Sequence, residues 1–198
     1  MSSFTPSRVK RLNKMLDGSS LVFLGMMGCG KSAIGKMVAT RLKLPFADSD
    51  HEIETAAGRP VKDIFAEYGE EEFRRLEVKV IERLLEEGPK VLALGGGAFM
   101  RQETRDNINA AGLSVWLQAD LDLLVARVMR RPGKRPLLAK GNPREILSGL
   151  LAEREPVYSK ARLHVPSTSG TKSQTRDKVL EAIEAHMIAE VSGKEAVQ

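Results

Sequence analysis

The run Gly25-Met26-Met27-Gly28-Cys29-Gly30-Lys31-Ser32 satisfies every position of the pattern Gly-x-x-x-x-Gly-Lys-[Ser/Thr]. Its glycines let the backbone wrap around an anion with N–H groups turned inward, and a following helix N-terminus adds positive potential. Lys31 is placed to reach β- and γ-phosphates, and the Ser32 hydroxyl to ligate Mg²⁺. Gly28, Cys29, Gly30, Lys31, Ser32 and Ala33 are therefore the candidate nucleotide contacts, and the loop implies binding of a nucleoside triphosphate. Cys29, the one cysteine, lies beside Lys31 at a helix start, where a thiol pKa can fall. The plainer reading is a small residue tolerated in a tight loop.

Other polar clusters must name the acceptor. No Asn-Lys-x-Asp guanine-reading signature is present, which argues against a GTP switch. Asp48-Ser49-Asp50 follows a short apolar stretch, at a strand end where ligands of open α/β sheets gather. One carboxylate there could face a metal shell and the other accept a hydroxyl proton; the competing reading is a helix N-cap. Gly95-Gly96-Gly97 ends another apolar stretch and would let a ligand approach bare backbone. Arg74 stands three residues before Glu77, so that carboxylate could hold its guanidinium. Arg135 lies in the basic, Pro- and Gly-containing segment 130–141, which reads as a mobile lid able to neutralise transition-state charge. Arg154 is unremarkable alone.

Elements that could position these residues alternate along the chain. Residues 20–25, 45–47, 91–94, 114–117 and 163–165 are short apolar stretches beside glycine or polar turns. Between them, 31–42, 70–87, 120–130, 143–155 and 171–191 show helical spacing. In 70–87, Phe73, Leu76, Val80, Ile81, Leu84 and Leu85 form one stripe. Five strands separated by helices predict βαβ units, and hence a parallel sheet between helix layers. Trp116 and His164 are expected in the core, and His51 in a helix's first turn. Val9, Leu12 and Leu16 share one face of a short basic stretch. Residues 1–19 read as an N-terminal extension, with a transit peptide as an alternative, and 192–198 as a frayed tail.

Taken together and in this order, these motifs closely resemble those of shikimate kinases: Gly25 to Ser32, Asp48 and Asp50, Glu72-Phe73-Arg74-Arg75-Leu76-Glu77, Gly95-Gly96-Gly97, Arg135-Pro136-Leu137-Leu138 and Arg154-Glu155-Pro156-Val157-Tyr158. The resemblance covers residues 21–165. It implies a nucleoside-monophosphate-kinase-like P-loop fold, a three-layer α/β/α arrangement over residues 20–191 with a five-stranded parallel sheet and a lid. The implied reaction converts ATP and shikimate to ADP and 3-phosphoshikimate. Asp50 would then contact the shikimate hydroxyls and orient or deprotonate the 3-hydroxyl. Asp48 and Ser32 would belong to the Mg²⁺ shell. Arg74 and Arg154 would bind the carboxylate, Gly95, Gly96 and Gly97 would line the pocket, and Arg135 would reach the phosphates. Arg127, at a slightly different spacing from Arg135 than in the family, and residues 168–172 would border the adenine.

Composition limits the other classes. The 198 residues are 42% hydrophobic and 29% charged, values of a globular chain. One cysteine allows no internal disulfide and fits a reducing, cytoplasmic setting. Apolar runs of about ten residues are half a membrane span. The net charge of +5 is concentrated. Residues 1–20 carry four basic side chains and one acidic, and residues 130–141 carry five basic and none. Few aromatics accompany these patches, so nucleic-acid binding has little support, and a monomer is expected. The remaining alternatives are a kinase for another small hydroxy acid such as gluconate, and a catalytically silent kinase-like module.

Overall fold

A computed structural model describes residues 4–130 and 141–195. Residues 131–140 of the expected lid at 130–141, Arg135 among them, lie outside this range. In chain order the elements are α1 (Pro6–Leu16), β1 (Ser20–Leu24), α2 (Lys31–Leu42), β2 (Phe46–Asp48), α3 (Ser49–Ala57), α4 (Val61–Glu86) and β3 (Val91–Ala93). A 3₁₀ turn (Ala98–Met100) then leads to α5 (Gln102–Ala111), β4 (Gly112–Gln118), α6 (Leu121–Met129), α7 (Pro143–Tyr158), β5 (Leu163–Pro166) and α8 (Lys172–Glu195).

The five strands form one parallel sheet in the order β2-β3-β1-β4-β5. Central β1 is buried along its whole length, and Phe23 pairs with Ala93 on one side and Val115 on the other. A sheet covered by helices on both faces needs no polar alternation, which is why the strands read as continuous apolar runs. Helices α1, α2 and α8 pack together, and α5 packs against both α4 and β4. The three-layer α/β/α class therefore holds.

Three details differ from the expectations. The helix carrying Arg74 starts at Val61, and α4 bends at Gly69 (φ 78°, ψ 174°), a backbone state that a side chain would strain. Residues 102–111 form a helix that no apolar stripe announced. His164 is exposed, not core: β5 is the edge strand, and only Val165 of its four residues is fully buried. The imidazole instead meets the Ser159 and Ala161 carbonyls at 3.1 Å and the edge of Trp116, which is buried as expected.

The basic stretch near the N-terminus is helical, and its Val9, Leu12 and Leu16 enter the main core beside Phe4. Arg8 and Arg11 both donate to the buried carboxylate of Glu184 on α8, at 2.5–2.8 Å. Two of the four cations that make this region basic thus neutralise a carboxylate of the chain itself.

Candidate functional site

Every cluster singled out in the sequence, apart from the segment outside the described range, lies beyond the C-terminal ends of the strands. The phosphate-binding loop connects β1 to α2. Gly25, Gly28 and Gly30 all have positive φ, at 138°, 88° and 109°, so the turn that bares the α2 N-terminus depends on them. Gly30 caps α2 without any side-chain hydrogen bond, which leaves the helix start open to an anion. The Lys31 ammonium rests on the Gly25 and Met26 carbonyls, at 2.8 and 3.3 Å. Neutral carbonyls are weak partners for an ammonium beside incoming phosphate oxygens, so Lys31 can exchange one set for the other. Cys29 is 0% exposed. The thiol is part of the packing under the loop and not a reactive group at its surface.

Strand β2 ends one residue later than expected, and this brings Asp48 to the edge of the sheet. Asp48 occupies the N-cap position of α3, but its side chain makes no capping bond. Its Oδ2 accepts the Ser32 hydroxyl at 2.6 Å. That contact decides against the capping role. Two hard oxygens, from Ser32 and Asp48, stand side by side next to the phosphate loop, a donor set that suits a divalent cation completed by water and phosphate. Among the described residues no cluster of three or more His, Cys, Asp or Glu makes an all-protein metal cage.

The glycine triplet after β3 is a floor on which four charged side chains meet. A methyl group at Gly95 would collide with the Asp50 carboxylate and lie 2.9 Å from Glu77 Oε1. At Gly96 it would lie 3.0 Å from Arg154 Nη1, and at Gly97 2.6 Å from the guanidinium carbon of Arg74. Asp50, Arg154 and Arg74 come from α3, α7 and α4, so only the fold brings them together. The Ser49 hydroxyl accepts the Gly95 N–H at 2.8 Å and ties the floor to the aspartate pair. Asp50 opens on the cleft, yet protein crowds its other sides. This burial, reinforced by Asp48, pushes its carboxyl pKa up, against the opposing pull of Lys31 and Arg74.

Arg74 is held from several directions. Glu77 Oε2 accepts from its Nη1 at 2.7 Å and Glu70 Oε1 from its Nη2 at 3.2 Å. The guanidinium also lies 5.7 and 5.2 Å from the ring centres of Phe65 and Phe73, whose own centres are 4.3 Å apart. Burial works against the cation, but the two carboxylates outweigh it, and the Arg74 pKa rises. Glu77 is 1% exposed within the apolar stripe of α4, and burial raises its pKa despite Arg74. Sequence spacing found this pair. It did not find the aromatic platform, because Phe65 precedes the bend at Gly69.

Arg127 lies on the other flank of the phosphate loop. It donates to the Gly28 and Cys29 carbonyls at 3.3 and 3.1 Å, to the Ser167 hydroxyl at 2.9 Å and to the Thr168 carbonyl at 2.8 Å. The arginine therefore ties the loop to the turn after β5. A cavity of about 280 Å³ adjoins this flank, bordered by Met26, Trp116, Leu151, Glu155 and Thr168.

A cationic pair, an aspartate with a raised pKa and a phosphate loop around one glycine floor describe a kinase for a small acidic alcohol. The model of the shikimate kinase family matches residues 27–184. The chain belongs to the shikimate kinase family. A shikimate kinase of Mesorhizobium japonicum is 50% identical over 171 residues, which cover 86% of this chain and 84% of that protein. The solved structure of an Acinetobacter baumannii shikimate kinase in complex with shikimate superposes with a TM-score of 0.82. It has 32% sequence identity and covers 88% of this chain and 98% of that one. A gluconokinase of Sinorhizobium meliloti reaches a TM-score of 0.59 at 18% identity, covering 89% of this chain and 97% of that one, a likeness of fold alone.

Close approach at Gly97 has a direct consequence. Gly97→Ala should leave the fold intact, because the obstructed atoms belong to a long side chain, but it should displace Arg74. We expect the shikimate KM to rise about 10- to 100-fold, the loss of a charged hydrogen-bonded contact. Steady-state kinetics beside a thermal melt checks this, and an unchanged KM would separate Gly97 from the acceptor site.

Proposed function

We propose that the chain transfers the γ-phosphoryl group of ATP to the 3-hydroxyl of shikimate, as its family membership indicates, with the residues gathered on the glycine floor binding the acceptor. The observation that carries this reading is the convergence of Asp50, Arg154 and Arg74 on Gly95, Gly96 and Gly97, next to Lys31. Arg74 and Arg154 form a fork for the acceptor carboxylate. Asp50 orients the 3-hydroxyl and takes its proton. Gly28, Cys29, Gly30, Lys31, Ser32 and Ala33 hold the phosphates, and Arg135 joins them from residues 130–141. Arg127 and residues 168–172 border the adenine.

Ser32 and Asp48 would hold Mg²⁺, which when bound offsets phosphate charge. The remaining work belongs to side chains of the chain: positioning first, charge neutralisation second, proton acceptance last. Glu77 keeps the Arg74 fork pointed at the acceptor, and Lys31 draws the phosphates toward it. No helix among the described residues is long and apolar enough to cross a membrane. A cytoplasmic monomer accords with the single buried cysteine and with large exposed apolar side chains that are few among the described residues, Tyr68, Met129, Ile188 and Val191.

Arg74→Ala tests the fork. It should raise the shikimate KM about 10- to 100-fold, with a much smaller change in kcat and in the ATP KM. An unaltered shikimate KM would remove Arg74 from acceptor binding. For the activity itself, ADP release should require shikimate and should not respond to gluconate or nucleoside monophosphates.

A further inference from the structure

Tyr158 is a polar residue in a place where phenylalanine would pack as well. Its ring is 1% exposed and lies edge-on between Phe99 and Trp116, with centroid distances of 6.5 and 5.9 Å. A buried phenol needs a partner for its hydroxyl. That partner is the carbonyl oxygen of Gly96, the middle residue of the floor. Arg154, one turn earlier on α7, donates Nη1 to the same oxygen at 3.0 Å.

Two donors on one carbonyl fix the orientation of its peptide. Because a trans peptide is planar, its N–H points opposite to its C=O. Holding the Gly96 carbonyl toward α7 therefore holds the Gly97 N–H away from α7. Among the described residues that N–H has no hydrogen-bond partner, and Gly97 lies directly beneath Arg74. The Nε of Arg154 is likewise buried without a partner. Both are donors without an acceptor among the described residues. Burial pushes the phenol pKa up to about 12, so the hydroxyl remains a donor throughout the working range.

We propose that Tyr158 is a positioning residue for the acceptor: by sharing the Gly96 carbonyl with Arg154, it holds the Gly97 N–H and the Arg154 guanidinium in the geometry that receives shikimate. The inference rests on shikimate as acceptor, which wild-type turnover tests separately. Tyr158 need not touch the substrate, and the nucleotide side should not register its hydroxyl.

Tyr158→Phe keeps the ring and removes the one atom in question. The shikimate KM should rise about three- to tenfold, the worth of a neutral hydrogen bond, while the ATP KM and the melting temperature stay near wild type. Adding Tyr158→Phe to Arg154→Ala should cost less than it does alone, because both side chains act through one oxygen. In ¹⁵N-labelled wild-type protein, added shikimate should shift the Gly97 amide resonance and slow its exchange with solvent, a readout independent of any variant's folding. An unchanged shikimate KM in Tyr158→Phe, equal rises in both KM values, or a Gly97 amide indifferent to shikimate would each overturn the proposal.

Discussion

Asp50→Asn should lower kcat about 100- to 10,000-fold, the usual contribution of a positioned acid–base group, while ATP affinity changes little. The amide keeps the size of the carboxylate above Gly95 but loses its charge and its ability to accept a proton. The aspartate feels both Lys31 and Arg74, and its pKa is raised, by burial first and then by Asp48. The active form is the deprotonated one. A raised pKa keeps the group protonated to higher pH, so the acid limb of kcat/KM should lie at higher pH than an ordinary aspartate would set and vanish in the variant. A variant that keeps most of its rate, or the same acid limb, would remove Asp50 from the chemical step.

Lys31→Ala should lower kcat/KM for ATP about 100- to 1,000-fold, in line with removal of one preorganised charge stabiliser. Its ammonium sits on the Gly25 and Met26 carbonyls, poised at the loop that the glycines hold open. The fold should survive, because those two hydrogen bonds to backbone carbonyls are all that the described residues give the ammonium. Single-turnover kinetics at saturating shikimate would locate the loss in phosphoryl transfer as well as in ATP binding. A loss confined to the shikimate KM would contradict the role assigned to Lys31.

What the sequence disclosed follows from the distance over which each feature is built. The phosphate loop is eight consecutive residues between a strand and a helix, and both its position and its helix, Lys31–Leu42, agree with expectation. Arg74 and Glu77 are three apart on one helix and were equally legible. Asp48 was ambiguous because its choice between capping α3 and meeting Ser32 depends on a contact sixteen residues away. Arg154 carried no signal alone, since its carbonyl partner is 58 residues distant. Tyr158 showed only as part of a motif; its place four residues after Arg154 was the available clue. Phe65 was hidden by the bend at Gly69, and His164 was misplaced because strand order, which makes β5 an edge, is not written in local periodicity. Two of the four cations in the first twenty residues, Arg8 and Arg11, meet Glu184, more than 170 residues away in sequence.

Transfer of a phosphoryl group from ATP to the 3-hydroxyl of shikimate in this cleft can be watched directly. Phosphorus NMR of the enzyme with ATP, Mg²⁺ and shikimate follows donor and product in one tube. A new phosphomonoester should appear, coupled to the proton on carbon 3 of shikimate, in amounts equal to the ADP formed. ADP accompanied only by inorganic phosphate, or a phosphomonoester that forms with gluconate and not with shikimate, would contradict this transfer.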